Sequence, residues 1–151
     1  MTREDMQKAR DRIKKRLRRF GRLEAERLQI EEQIKRLEFK MYSPGTTHWG
    51  GEPRGSSDGD PMAAAIQQKD RLVEKYNTQV ARLLAEQQAI EEMIERLSDP
   101  TDRKLLRHRY IECLSWEGVC KEMGYEWSQT HRIHSRALDG LIEKEEMQKC
   151  D

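Results

Sequence analysis

The sequence predicts an all-α protein: a long N-terminal helical hairpin of coiled-coil type, then a small helix-turn-helix domain. Three observations lead there. Charged residues are 38% of the chain and hydrophobic ones 35%, whereas ordinary domains are about one quarter charged. That balance supplies a narrow apolar seam, not a broad layered core. Apolar residues recur on a seven-residue beat through two long stretches. No stretch alternates convincingly with period two, so no sheet is expected.

The first helix is expected from about Thr2 to Met41, a stretch with no Pro and with Gly21 as its one glycine. Its rows are Met6, Ile13, Phe20, Arg27, Ile34, Met41 and Ala9, Arg16, Leu23, Ile30, Leu37. Arg16 and Arg27 interrupt the seam, and Gly21 weakens it by roughly 1 kcal/mol relative to Ala. A helix of this length spans about 60 Å and needs tertiary packing to be worth forming.

Five of the nine glycines, with Pro44 and Pro53, lie between Tyr42 and Asp60. Residues 42–60 therefore read as a flexible loop, in which His48-Trp49 reads more readily as a packed loop pair than as a recognition element. Asp60 as cap and Pro61 as first helical residue open a second helix to about Leu97. Its rows are Tyr76, Leu83, Ile90, Leu97 and Ile66, Val73, Val80, Gln87, Ile94. An antiparallel hairpin and a parallel intermolecular coiled coil both satisfy this pattern, and two hairpins can also pair as a dimer.

Asp99-Pro100 is a second cap-plus-proline start. Short helices are expected over about 100–110, 116–123 and 127–143. The chain thus divides into a hairpin over 1–97, a helix-turn-helix domain over 98–143 and a fraying polar tail over 144–151.

Within the second part, Ser115 caps a helix that buries Val119, Cys120 and Met123. Gly124 supplies the left-handed residue that turns the chain, and Tyr125 fills the corner. The next helix buries Ile133, Ala137, Leu138 and Leu141. Short helix, glycine turn and longer helix are the grammar of a helix-turn-helix. The second helix leaves Trp127, Ser128, Gln129, His131, Arg132, Ser135 and Arg136 on its free face. From Trp127 to Leu138 it carries two Arg, two His and no acid. An α-helix fits the major groove, where Arg132 suits guanine or phosphate and Gln129 suits adenine. Glu126 fits less smoothly, because a carboxylate there repels phosphate. Trp116 and Tyr110 read as core residues.

The net charge of +1 conceals an asymmetry. Residues 1–42 hold 14 Lys/Arg against 8 Asp/Glu, and the interval from Lys8 to Arg22 holds nine cations against Asp11. Lys14, Lys15, Arg18, Arg19 and Arg22 are accordingly candidates for contact with DNA backbone or with RNA polymerase. Three cysteines without C-x-x-C spacing argue against a disulfide framework. Cys113 and Cys120, read as inward, point away from the exposed pair His131 and His134, so no metal or other cofactor is expected. No catalytic constellation stands out, so the protein is not expected to be an enzyme. No apolar run reaches membrane-spanning length and no secretory signal is present, which makes the cytoplasm the expected compartment.

Residues from about Leu97 to Leu141 resemble region 4 of bacterial RNA polymerase sigma factors. The matching positions are Leu105, Arg109-Tyr110, Leu114-Ser115, Glu117, Val119-Cys120, Gly124, Ile133, Ala137-Leu138 and Leu141. Together with the charged hairpin and glycine-rich loop, the ending resembles small phage and prophage proteins grouped with RinA/ArpU-type late transcription regulators. The sequence departs from the pattern at Gly118, where a capping-box Glu is usual, at Glu126, where a Ser cap is usual, and at Thr130, where a buried Val is usual. The resemblance implies a sequence-specific DNA-binding transcriptional regulator acting in a bacterial host cell, with double-stranded DNA and RNA polymerase as partners and a homodimer through the hairpin. It includes none of the sigma regions that melt a promoter. A small terminase-like DNA-packaging subunit and a protein-only polymerase adaptor are the alternatives.

Overall fold

The structure, a computed structural model, describes residues 1–42 and 60–151. The intervening connection, with His48 and Trp49, lies outside the described residues. Helices α1 (Arg3–Tyr42), α2 (Pro61–Glu95), α3 (Pro100–Leu106), α4 (Trp116–Met123) and α5 (Trp127–Lys149) follow in order, and a π-helical turn, Arg107–Ile111, extends α3. No strand occurs among the described residues.

The chain forms two compact units. One joins Met1–Arg22 to Leu83–Asp151, and the other is Leu23–Arg82. The boundary expected at Leu97 lies inside the first unit, where the first turns of α1 and the last turns of α2 are grouped with the C-terminal helices.

In the first unit, α1 starts at a reciprocal cap. The Asp5 amide donates to Thr2 Oγ1 (3.2 Å), and the Thr2 amide donates to Asp5 Oδ2 (3.1 Å). The Thr2 hydroxyl, which donates to Asp5 Oδ2 (2.7 Å), and then the Thr2 amide hold the Asp5 carboxyl below its ordinary value. The buried positions are Ala9, Ile13, Leu17 and Phe20. Their steps of four, four and three make eleven residues in three turns, which follows a straight helix more closely than a strict heptad does. Leu17, outside both predicted rows, is therefore fully buried. Arg16 lies at the margin and ion-pairs with Glu86, which Arg19 also approaches (3.8 Å). On α2 the buried set is Leu83, Glu86, Ile90 and Ile94, with Leu97 just beyond the helix. Glu86 thus replaces the predicted Gln87, and a buried carboxylate neutralises the arginine that broke the seam.

The second unit answers the orientation question. Gln79 Nε2 donates to Leu23 O (3.2 Å) and Glu26 Oε2 (2.9 Å), Arg27 Nη1 donates to Tyr76 Oη (3.2 Å), and Lys69 pairs with Glu38 (3.1 Å). Positions rise along one helix as they fall along the other, so the two segments are antiparallel within one chain. Arg27 is satisfied by Glu24, Glu31 and Tyr76, and the bonds to Glu24 and then Tyr76 hold its guanidinium protonated well above the ordinary range. Ile66 and Val73, predicted seam positions, are exposed instead, as are Leu28 and Phe39.

The predicted starts of α2 and α3 are observed. Asp60 Oδ1 accepts from the Met62 amide (3.1 Å), Asp99 Oδ1 accepts from the Thr101 amide (2.8 Å), and a proline opens each helix. α5 continues to Lys149, so the expected frayed tail is helical. Leu141 and Ile142 are buried, and Asp139 and Glu145 pair with Arg10 and Arg12 of α1 (2.7 and 2.6 Å). Those anchors extend the helix through a stretch whose composition reads as solvated. Gly140 lets Leu97 approach closely, because a Cβ there would lie 2.8 Å from Leu97 Cδ2 and the leucine tip would have to shift.

Candidate nucleic-acid interface

The candidate interface is built on α4, a three-residue turn and the N-terminal half of α5. Ser115 Oγ accepts from the Gly118 amide (3.1 Å), which is half of a capping box; Gly118 has no side chain for the other half. Val119 is fully buried, while Cys120 and Met123 are half-buried. Gly124 closes α4 at φ 72°, and its amide donates to Cys120 O (2.9 Å). A side chain is strained in that left-handed conformation, so glycine suits the corner. Glu126 occupies the cap position of α5 with extended backbone and no side-chain cap bond. The first turn of α5 therefore keeps amides that no side chain caps.

α5 buries Thr130, Ile133, His134, Ala137, Leu138, Leu141 and Ile142. That phase sends Ser128, Gln129 and Arg132 outward, with Trp127 at 56% exposure, and leaves Ser135 half-buried. His131 is half-buried, and its ring lies between Trp116 (centroids 4.4 Å) and Trp127 (4.6 Å). Arg109 covers the other approach to Trp116 (4.7 Å) while donating to Leu114 O (2.7 Å). Arg109, Trp116, His131 and Trp127 thus follow one another in contact from the π turn to the start of α5, with successive rings tilted by 42° and 49°. Trp116 is accordingly a half-buried member of this row and not a core residue.

Arg136 lies on the expected exposed face, with its side chain 57% exposed, and is ion-paired there. Its guanidinium grips the buried carboxylate of Asp102 (2.6 and 3.1 Å) and reaches Asp99 (3.2 Å). These bonds hold it protonated above its ordinary range. A fork of this kind is geometrically demanding, so Arg136 clasps α5 to α3 from the exposed face. Asp99 and Asp102 could be recognised as helix-start acids in the sequence, but nothing there names their partner.

His134 is also reassigned, from an exposed to a buried position. It shares a 2.8 Å hydrogen bond with the Tyr110 hydroxyl and meets Trp116 edge-on (4.7 Å). Burial first, then the positive charges of Lys14, His131, Arg109 and Arg18, push its pKa down to about 4. Burial likewise raises Tyr110. The π turn contributes Tyr110 and Arg109 to this environment, and its one-residue widening has no signature in the sequence.

In the basic run, Lys15, Arg18, Arg19 and Arg22 are exposed and Lys14 is half-buried. Cys113 and Cys150 are exposed, which corrects the inward reading of Cys113. Among the described residues no cluster of His, Cys, Asp or Glu is arranged to hold a metal, and no helix is long and apolar enough to cross a membrane. Set against protein families, curated proteins and solved structures, the chain matches none.

Proposed function

We propose that the chain is a sequence-specific DNA-binding transcriptional regulator of phage type, whose α4–turn–α5 segment acts as a helix-turn-helix akin to sigma region 4. One observation carries the reading: Trp127, Ser128, Gln129 and Arg132 project from the N-terminal half of α5 on a face free of acids after Glu126. A helix presented this way fits the major groove, with Arg132 on guanine or phosphate, Gln129 on adenine and Ser128 on phosphate. Arg136 serves by locking α5 to α3, which fixes the angle at which the other side chains are offered.

Band shifts on phage late-promoter DNA test this. Arg132→Ala is expected to cost about 1–3 kcal/mol of binding, and Arg82→Ala on α2 is expected to leave binding unchanged. Equal effects of the two substitutions argue against α5 as the reader.

The clasp on Arg136, which takes one cation from the face, and the exposed Glu126 favour a second reading: an adaptor that binds RNA polymerase without DNA. Retention of polymerase with no retention of DNA at low salt selects it. Exposed Leu28, Phe39, Ile66 and Val73 on the hairpin unit support self-association. Native mass separates a dimer, suited to regulation, from the large ring of a packaging subunit.

A further inference from the structure

Arg10, Lys14, Arg18 and Gly21 follow one another at helical spacing and form a single stripe on α1. Both ends of the stripe are anchored. Arg10 closes a two-pronged ion pair on Asp139 of α5 (2.7 Å each), and a Cβ at Gly21 would lie 3.5 Å from Cys113 Sγ, just after the π turn. Lys14 and Arg18 lie between these anchors, on the side of α1 that faces α5 and the π turn. Three other cations of this stretch are engaged: Arg12 pairs with Glu145, and Arg16 and Arg19 converge on Glu86; Lys8, Lys15 and Arg22 are exposed and lie off the stripe. Among the described residues Lys14 and Arg18 have no ion-pair partner. Their charge is felt at Tyr110 and His134, as is that of Arg109. The stripe and the Arg109 end of the row that leads to Trp127 therefore share one electropositive neighbourhood around Tyr110 and His134.

We infer that Lys14 and Arg18 extend the α5 face into a grip on the phosphate backbone of duplex DNA, while Arg12, Arg16 and Arg19 take no part. The inference rests on the reading of α5 given above and deepens it. Two unpaired cations flanking a helix that enters a groove are placed to neutralise the phosphates bordering that groove, and such contacts set register without reading bases. Each neutralised phosphate steepens the salt dependence of binding by a slope of about 0.9.

The test uses the full chain and a fluorescently labelled random-sequence duplex, with binding followed by anisotropy between about 50 and 200 mM salt. The Lys14→Gln/Arg18→Gln double variant is expected to lower the slope of log affinity against log salt by about 1.8. Lys15→Gln/Arg19→Gln, with the same change in net charge, is expected to leave it nearly unchanged. Lys14→Arg is expected to retain the wild-type slope, and thermal unfolding confirms that each variant is folded. Equal slopes for the two double variants overturn the inference. If Arg132→Ala weakens binding and the Lys14/Arg18 variant keeps its slope, α5 remains the reader and the stripe is assigned to an acidic protein surface. If the wild-type chain does not retain duplex even at the lowest salt, both readings fall.

Discussion

His134 offers a quantitative check on the packing of the C-terminal helices. Its imidazole is 5% exposed, bonded to Tyr110 and faced by Lys14 and Arg18 from α1, Arg109 from the π turn and His131 from its own helix. All four neighbours oppose a second positive charge, and burial opposes it more. In the native state the ring stays neutral down to about 4, whereas in the unfolded chain it titrates near 6.5. The unfolded state therefore binds the proton first. Stability from this residue is complete above pH 6.5 and is lost as pH falls through the interval to about 4. One pH unit of difference corresponds to about 1.4 kcal/mol, so the full loss is on the order of 3 kcal/mol. Urea unfolding at neutral pH and again near the lower limit measures it. His134→Gln keeps an acceptor for Tyr110 and removes the titration. The wild type is expected to lose on the order of 3 kcal/mol more than this variant over the interval, with the carboxylates cancelling between them. Lys14→Gln and Arg18→Gln should each raise the His134 titration point seen by NMR, because each removes a repelling charge. Parallel stability curves for wild type and His134→Gln would falsify the account of a buried neutral imidazole.

Two further substitutions follow from local packing. Thr130 is fully buried and its hydroxyl has no hydrogen-bond partner among the described residues; Thr130→Val removes an unsatisfied polar group at similar volume and should stabilise by about 1 kcal/mol, read as a higher urea midpoint. A lower midpoint would mean that the hydroxyl is bonded. Gly21→Ala adds a methyl at ordinary contact distance from Cys113 in mid-helix and should raise stability by up to about 1 kcal/mol. A lower melting temperature would show that α1 packs more closely at this point than the 3.5 Å clearance allows.

Much of the fold was legible because its cues are local. Asp60-Pro61, Asp99-Pro100, Ser115 and Gly124 start or stop helices through bonds within a few residues, and each acts where the sequence placed it. The exposed trio Ser128, Gln129 and Arg132 was legible for a related reason: the phase of a helix follows from the apolar residues beside them. The exact seam was harder to read. A heptad assumes two helices coiling about each other alone, whereas α1 buries Leu17 and α2 buries Glu86 in a core that includes other helices.

Composition and periodicity by themselves determined an all-helical chain, two long amphipathic segments and a short-helix, glycine-turn, long-helix ending. Tertiary structure alone decided which charges remain free. Arg136 and Arg132 look alike in sequence, yet only Arg136 finds Asp102 and Asp99, more than thirty residues earlier in the chain. The same holds for Arg16 on Glu86, for His134 under Tyr110 and for the stripe in which Lys14 and Arg18 have no ion-pair partner among the described residues. An ion pair depends on the distance between two side chains in space, and that distance is set by how helices pack, which neither partner's own segment encodes.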